Sequence, residues 1–516
     1  MSDLGFWKFA EQNPSALAVV EPDGREVSAG QLLESANQIV HGLRALGLRK
    51  GDVVAVALPN CVEMLEVFMA AAQAGWYVAP LNWHLTAKEI QYILQDSEAK
   101  AFIASERFAE ACREAAEGLG FPAQSRFALG SVAGFRPLAE LKQGQPGALP
   151  SERSAGGPMT YTSGTTGKPK GVRRAMGDIA PELVATSQAM FLSLFGILPG
   201  SQGVHLVVAP LYHTAVLNFA TNHLHLGHTV VLMDKWTPEG TLERIQKYRV
   251  TNTHMVPTMF TRLLKLPEEL KKNTDVSSLR HVIHGAAPCP IDVKRKMLEW
   301  WGPCIFEYYA ASEGGGTLAT PSQWLNKPGT VGPPWPISTI RILDDARLPL
   351  PPREIGTVWI RMGDYKFEYH KDRAKTEDAW SEGFFTVGDA GYLDEDGYLF
   401  LCDRKADMII AGGVNIYPAE IEAVFAMHPK VADVAVFGIP NEDWGEEVKA
   451  VVQPASGASP GSALEEELRE FAARELAKFK IPRSIDFIEE MPRDPNGKLY
   501  KRRLRDPYWE GREKAI

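Results

Sequence analysis

The segment from residue 161 to residue 171 has the composition of an anion-binding loop. Its eleven residues include three glycines, four serine or threonine hydroxyls and two lysines. Glycines let the backbone approach an anion closely, hydroxyls donate hydrogen bonds, and lysines supply compact positive charge. The composition predicts a polyphosphate cradle and therefore a nucleotide substrate. The residues concerned are Thr162, Ser163, Gly164, Thr165, Thr166, Gly167, Lys168, Lys170 and Gly171.

Two other interpretations of this segment are a Walker A loop and a solvated surface loop. The Walker A loop needs four residues between its glycines and a hydroxyl residue directly after its lysine. Here Gly164 and Gly167 are three positions apart and Pro169 follows Lys168, so the spacing excludes that loop. A solvated surface loop rich in glycine and threonine stays open when the segment is taken alone.

Six further motifs follow in order along the chain. Together with the glycine-rich segment, they resemble the signature of the adenylate-forming superfamily, which includes acyl-CoA synthetases, luciferases and the adenylation domains of peptide synthetases. The resemblance covers nearly the whole chain. The motifs are Pro210–His213, His284–Ala287, Glu307–Glu313, Val387–Asp389, Asp403–Gly413 and Pro492–Lys498.

The resemblance implies roles for four catalytic residues. Lys498 would bridge the carboxylate and the α-phosphate in the first half-reaction, and Thr165 would act from the phosphate loop. Glu313 would hold Mg²⁺, a cation that prefers a carboxylate together with water and phosphate oxygens. His213 would lie between the nucleotide and the acyl group. Without the surrounding motif, Lys498 would be interpreted as an exposed lysine in a turn.

The resemblance also implies a nucleotide pocket and a passage for coenzyme A. Tyr309 would pack on adenine, with small residues along the other face of the base, and Asp389 would accept the ribose hydroxyls with support from Arg404. Outside the motifs, Asp389 could cap a turn and Arg404 could form a surface ion pair. The remaining residues of these two sites are Gly285, Ala286, Ala287, Glu307, Tyr308 and Ser312 for the nucleotide, and Gly412 and Gly413 for the pantetheine arm.

The acyl pocket is expected at His213, Ala310, Ala311 and Gly314. The two alanines replace a common glycine-containing sequence, so the pocket shape is expected to differ from that of typical relatives. No basic residue adjacent to these motifs invites a second carboxylate, which favours a hydrophobic acid. Medium- or long-chain fatty acids, polycyclic terpenoid or steroid-side-chain acids and aryl acids all stay open.

Three histidines close together in Asn222–His228 raise the question of a metal site. His223 and His225 alternate with leucine, which predicts that both lie on one face of a strand. No acidic or cysteine partner accompanies them or His228, so ordinary polar-face or interface histidines are favoured over metal ligands.

Composition limits the class of protein. The chain has 516 residues, which is more than one core usually supports. A net charge of -9 argues against nucleic-acid binding. Five scattered cysteines fit a reducing cytoplasm. No stretch is apolar enough to predict a membrane span, although peripheral membrane contact and a homodimer stay open.

The pattern of elements predicts an α/β fold. Short apolar runs alternate with helix-length segments up to about residue 330, which indicates βαβ units in mostly parallel sheets. Gly/Pro-punctuated strands then indicate a smaller β-rich subdomain. We expect an N-terminal domain at residues 1–402 that holds ATP and the acyl group, a hinge at 403–407, and a small mobile α+β domain at 408–516.

The function expected from this resemblance is an ATP-dependent acyl-CoA synthetase that releases AMP and pyrophosphate. The expected small-molecule partners are a carboxylic acid, ATP with Mg²⁺, and coenzyme A. Two alternatives stay open: an adenylating enzyme that delivers its acyl group to a carrier protein or to oxygen, and a catalytically silent nucleotide-binding protein. Relatives carry a charged residue where Ala406 stands in the hinge, which puts the rate of domain switching in question.

Overall fold

The computed structural model describes residues 4–162, 170–174, 176–311, 313–364, 366–404, 407–412, 414–493 and 499–510. Its helices are α1 (Phe6–Gln12), α2 (Ala29–Ala45), α3 (Val62–Ala74), α4 (Ala87–Asp96), α5 (Ala109–Gly118), α6 (Leu138–Lys142), α7 (Pro181–Phe191), α8 (Thr214–His225), α9 (Pro238–Tyr248), α10 (Pro257–Leu264), α11 (Glu268–Asn273), α12 (Ile291–Trp301), α13 (Pro321–Asn326), α14 (Arg373–Asp378), α15 (Pro418–Ala426), α16 (Ser462–Glu475) and α17 (Lys501–Arg505).

The described residues before residue 320 form sixteen strands. They are β1 (Leu17–Val20), β2 (Glu26–Ser28), β3 (Val53–Ala57), β4 (Tyr77–Pro80), β5 (Ala101–Ser105), β6 (Arg126–Leu129), β7 (Arg136–Pro137), β8 (Gly157–Pro158), β9 (Thr160–Thr162), β10 (Lys170–Arg173), β11 (Val204–Val207), β12 (Thr229–Leu232), β13 (Asn252–Met255), β14 (His281–His284), β15 (Ile305–Ala311) and β16 (Gly314–Ala319).

Two mostly parallel sheets form the body of the N-terminal region. One has the order β16-β15-β14-β13-β11-β12-β1-β2 and is parallel except at its two edge pairs. The other, β7-β6-β5-β3-β4-β8, is parallel throughout. Helices α2 and α3 join the largest hydrophobic core together with strands of both sheets. The expected α/β class with parallel sheets is confirmed.

Local sequence explains where several helices begin. Ser28, Thr86 and Thr320 each accept a hydrogen bond from the backbone three residues later, where a glutamine or glutamate side chain reaches back to the cap. Such capping boxes satisfy backbone donors that a helix start would otherwise leave unpaired. Strand β3 is apolar and buried at every position, as expected for a parallel strand covered on both faces.

The chain then becomes rich in strands. These are β17 (Ser338–Leu343), β18 (Gly356–Met362), β19 (Glu368–Tyr369), β20 (Trp380–Ser381), β21 (Phe384–Phe385), β22 (Asp389–Leu393) and β23 (Leu399–Arg404). Most of them form one antiparallel sheet in the order β20-β21-β18-β22-β23, with β17 paired to β18. Strand β19 instead joins β10 and β9 in a small separate sheet.

The last sheet lies in the C-terminal part of the chain. Its strands are β24 (Ile409–Ala411), β25 (Val414–Ile416), β26 (Val431–Asn441), β27 (Gly445–Pro454) and β28 (Ser484–Phe487). They surround a separate hydrophobic core with α15 and α16. Among the described residues, no helix combines the length and apolar character that crossing a bilayer requires.

Candidate active site

Strand β15 directs alternate side chains to opposite faces of the large sheet. On one face, the Tyr309 hydroxyl donates a hydrogen bond of 2.6 Å to Oδ2 of Asp389. On the other face, the Tyr308 hydroxyl lies 2.9 Å from Nε2 of the buried His254. The two adjacent tyrosines therefore belong to different environments, and only Tyr309 points towards the Asp389 motif.

Asp389 begins β22 in the antiparallel sheet. Its register partner on β23 is Arg404, whose backbone lies beside it while its side chain falls outside the described part of the chain. The fold thus brings Tyr309, Asp389 and the Arg404 backbone together from three separate motifs. Nothing in the sequence spacing specifies that proximity, because it depends on packing between two sheets.

The turn after β14 lies next to this group. A Cβ atom at Gly285 would be 2.7 Å from the carbonyl oxygen of Tyr308, so this position requires glycine for close packing. Ala286 has a φ of 68°, a left-handed conformation that costs an L-residue about 1–2 kcal/mol. Such strain persists only where the surrounding structure imposes it, often at ligand sites. The turn holds Ala287 at the carboxyl edge of the sheet, where open α/β folds bind ligands.

Glu313, the candidate magnesium ligand, is buried and receives a hydrogen bond that sequence analysis did not anticipate. The Tyr369 hydroxyl donates to its Oε1 at 2.7 Å. The pKa of Tyr369 is raised, first by burial and then by the neighbouring Glu313 carboxylate, which keeps the phenol in its donor form at neutral pH. No motif marks Tyr369, because its contact arises only from the pairing of β19 with β10.

The glycine-rich segment connects two antiparallel strands. Thr162 on β9 pairs with Lys170 on β10, so these two strands form a hairpin. A Walker A loop joins a strand to a helix, and the hairpin agrees with its exclusion. Ser163, Gly164, Thr165, Thr166, Gly167 and Lys168 lie outside the described residues, as do the side chains of Thr162 and Lys170.

His213 is the N-cap of α8 and lies near the base of that hairpin. The hydroxyl of Thr214 donates to Oγ1 of Thr160 on β9 at 3.0 Å. The His213 ring is 4.2 Å from the ring of Tyr212. The hydrogen bond between Thr214 and Thr160 joins the start of α8 to the strand that leads into the glycine-rich segment.

Glu307 and Tyr308 were predicted to bind the nucleotide, but their side chains serve the scaffold. Oε2 of Glu307 is 2.7 Å from Nζ of Lys294, and both groups are buried. Burial raises the pKa of Glu307, an effect that Lys294 opposes, and burial lowers the pKa of Lys294. Breaking such a pair leaves an uncompensated buried charge.

The strand predicted for His223 and His225 is wrong. Both residues lie in the last turn of α8, and both are buried rather than on a polar face. Nδ1 of His223 is 2.9 Å from Nδ1 of His228. Alternation with leucine was misleading because the helix begins nine residues before His223. No cluster of three potential metal ligands occurs in the part of the chain that the structure describes.

Ala310 and Ala311 point to opposite faces of β15. Ala310 packs with the aromatic cluster beside α7 and α8, whereas Ala311 packs with the core of the antiparallel sheet. Gly314 follows with a φ of 129°, a conformation that favours glycine. The two alanines, predicted to border one pocket, therefore contact different parts of the protein.

Gly412 lies in the turn between β24 and β25. Its φ is 59°, and a Cβ there would be 2.5 Å from the Trp444 ring. The Trp444 side chain is 48% exposed, and the guanidinium of Arg483 lies 5.3 Å from its ring centre. Ser312, Gly413 and Lys498 are outside the described residues.

Known proteins resemble this chain along its whole length. The model for "AMP-binding enzyme" matches residues 6–365, and the model for "AMP-binding enzyme C-terminal domain" matches residues 420–498. The fatty acid–[acyl-carrier-protein] ligase ScoC of Streptomyces coeruleorubidus is 32% identical over 507 residues, with 97% of this chain and 95% of that protein covered.

Two further relatives handle different acids. The feruloyl-CoA synthase of an Amycolatopsis species is 32% identical, with 97% of this chain and 98% of that protein covered. The o-succinylbenzoate CoA synthetase of Bacillus subtilis, solved with its acyl-adenylate intermediate, superposes with a TM-score of 0.81 at 28% identity and 99% coverage of both chains. With both family models matched in order, this chain belongs to the AMP-binding, adenylate-forming enzyme family.

Proposed function

We propose that this protein is an ATP-dependent acid–CoA ligase that activates a hydrophobic carboxylic acid. The observation that carries the proposal is the hydrogen bond between Tyr309 and Asp389. It places an aromatic ring suited to adenine beside a two-oxygen acceptor suited to the ribose hydroxyls, close to the Gly285 turn at the carboxyl edge of the sheet.

The reaction has two steps. A carboxylate oxygen of the acid attacks the α-phosphorus of ATP, and the bond to the bridging oxygen breaks so that pyrophosphate leaves. The thiol sulfur of CoA then attacks the acyl carbonyl carbon, AMP leaves, and the thiol proton passes to solvent. The first step joins two anions, so positive charge and aligned donors are needed most there, and we assign that role to Lys498.

Glu313 fits the part of a magnesium ligand. It is a buried carboxylate, and the described contacts use only one of its two oxygens, Oε1, which accepts from Tyr369. When bound, Mg²⁺ neutralises charge on the phosphate oxygens. Tyr369 would hold the Glu313 carboxylate in a fixed orientation, as neighbouring donors commonly do for metal ligands.

CoA is favoured over a carrier protein as acyl acceptor. Trp444 offers a half-exposed indole beside Gly412, with Arg483 close to its ring. An aromatic face next to a cation suits the adenine and phosphates of CoA. The prosthetic arm of a carrier protein has no adenine base for such a surface. Delivery to a carrier protein is the second candidate, since ScoC is named as such a ligase.

We further propose the domain limits 1–402 and 408–516, with a hinge at 403–407. The separate core at Ile409–Ile485 supports an independent C-terminal domain. Rotation about the hinge would exchange Lys498 for the Gly412 turn at the active site. The cytoplasm is the proposed compartment, which the five free cysteines support.

The experiment is a pyrophosphate-release assay over fatty, polycyclic and aryl acids, with and without CoA. We expect release that depends on the acid and on Mg²⁺, followed by acyl-CoA and AMP when CoA is present. The Asp389→Ala variant serves as the matched control for nucleotide binding. A protein that binds ATP but releases no pyrophosphate with any acid would be a silent binding protein instead.

A further inference from the structure

An aromatic wall covers the face of β15 that carries Ala310. Its rings meet edge to face or at steep angles: Phe191 and Trp335 are 5.5 Å apart between centroids, and Tyr308 is 6.0 Å from Phe195. Elements far apart in the chain, including α7, α8 and β15, contribute to it. The wall consists of Phe191, Phe195, Phe219, Tyr308 and Trp335.

Trp335 borders Ala310, one of the residues at which the acyl pocket is expected. Its ring lies over Gly316, where a Cβ atom would be 2.8 Å from Cζ2 of Trp335 and 3.1 Å from Cβ of Ala310. Gly316 and Ala310 are register partners on β16 and β15. The indole therefore borders Ala310, one residue from Tyr309 and on the opposite face of the strand.

The wall contains two polar side-chain groups, and only one of them has a hydrogen-bond partner among the described residues. The Tyr308 hydroxyl is hydrogen-bonded to Nε2 of His254. Trp335 is only 9% exposed, and its buried Nε1 has no hydrogen-bond partner among the described residues. A buried donor without an acceptor costs free energy, and Trp normally has a partner for this group when it is buried.

We propose that Nε1 of Trp335 donates a hydrogen bond to an oxygen on the hydrophobic part of the acid. The substrate class is then a ring-bearing acid that carries a hydroxyl, ether or keto oxygen away from its carboxylate. Phe191 is only partly buried and Trp335 borders Ala310, so these two rings suit contact with a ring of the acid, whereas an unsubstituted alkyl chain offers no acceptor for the indole. This inference rests on the proposed function and specifies its substrate.

The test uses acids that differ only in the ring oxygen. Pyrophosphate release is measured with 3-phenylpropanoate, its 3- and 4-hydroxy and 3- and 4-methoxy derivatives, and decanoate. We expect kcat/KM to be about tenfold or more higher for at least one oxygenated derivative than for the parent, because a site built to hydrogen-bond a group rejects the analogue that lacks it.

Trp335→Phe keeps a ring and removes the N–H. It should lower kcat/KM for the preferred oxygenated acid about tenfold and change kcat/KM for 3-phenylpropanoate by less than about twofold. The matched control is Trp301→Phe on α12, another buried indole whose Nε1 has no partner among the described residues but which lies in the main core. Trp301→Phe should leave the ratio of kcat/KM between the oxygenated acid and 3-phenylpropanoate unchanged.

Two results would overturn this inference while leaving the proposed function intact. One is an equal loss of kcat/KM for both acids in Trp335→Phe with an unchanged melting temperature. The other is a wild-type enzyme that prefers decanoate or does not distinguish the derivatives from their parent. Absence of pyrophosphate release with every acid tested would instead overturn the proposed function, and with it the substrate class.

Discussion

The Tyr309 hydroxyl donates to Oδ2 of Asp389 across 2.6 Å, joining the large parallel sheet to the antiparallel sheet. Both residues were expected to contact the same nucleotide, one through adenine and one through ribose. The hydrogen bond explains how they are kept in register before ATP binds. It also makes Tyr309 a positioning residue for Asp389, in addition to the adenine contact proposed for its ring.

Tyr309→Phe is expected to raise KM for ATP about threefold to tenfold, because it retains the ring and removes one hydrogen bond to a charged group. Asp389→Ala should raise it further, while the apparent affinity for the acid stays nearly constant. Steady-state kinetics with varied ATP measure both effects. Tyr308→Phe is the matched control, and an equal rise of KM there would contradict the separation of the two faces.

Tyr369→Phe is expected to weaken magnesium activation about tenfold, because a donor that orients a metal-binding carboxylate is lost. The measurement is pyrophosphate release as a function of Mg²⁺ at saturating ATP. Tyr77→Phe removes a comparable buried hydroxyl, bonded to the backbone of Arg174, and serves as control. Unchanged magnesium dependence in Tyr369→Phe would contradict the orienting role of the Tyr369 hydroxyl.

Lys498→Ala is expected to slow adenylation by roughly 10²–10³-fold, since it removes a preorganised charge from the transition state. Thioester formation from supplied acyl-AMP should change much less. Lys501, three residues later, has its Nζ 2.9 Å from Oε1 of Glu422 and secures the helix that follows Lys498. The exposed Lys272→Ala is the control, and equal losses in both half-reactions would refute a role confined to the first.

Ala406→Pro is expected to keep adenylation and slow thioester formation strongly, because proline fixes φ near -65° in the proposed hinge. Single-turnover assays of each half-reaction measure this separation. Ala406→Gly is the control, since it keeps the backbone free. A folded Ala406→Pro variant with both steps at the parental rate would place the pivot elsewhere.

Acid is expected to destabilise the fold through its buried histidines. Nδ1 of His225 accepts a hydrogen bond from the backbone N–H of Phe6, and burial lowers the pKa of His225 from 6.5 to about 3. Below pH 6.5 the His225 imidazole therefore binds a proton in the unfolded chain but stays neutral in the folded protein. The contribution of His225 to the free energy of unfolding is fully present above pH 6.5 and is lost progressively as the pH falls towards 3.

At pH 5 the lowered pKa of His225 should reduce the free energy of unfolding by about 2 kcal/mol. Melting temperatures at pH 7 and pH 5 should show a fall in the wild type and a smaller fall in His225→Gln, which does not titrate. His41→Gln, at a half-exposed position, should keep the wild-type fall. An identical fall in His225→Gln would show that the acid sensitivity arises elsewhere, such as at His205 or His254.

Much of this protein was accessible from local sequence. Glycine-rich segments, apolar runs and helix-cap residues act over a few neighbouring positions, so they predicted the α/β class, the parallel sheets and the confirmed family. The local pattern gave a wrong prediction at His223, because alternation with leucine is typical of a strand and this residue lies in a helix.

Only the tertiary structure decided which side chains meet. Tyr369 reaches Glu313 because β19 pairs with β10. Nε1 of Trp335 has no hydrogen-bond partner among the described residues, because the wall around it is apolar apart from Tyr308. Tyr308 and Tyr309 are adjacent in sequence, yet they are separated by the sheet itself. Contacts of this kind depend on burial and strand register between distant segments, and no local pattern encodes them.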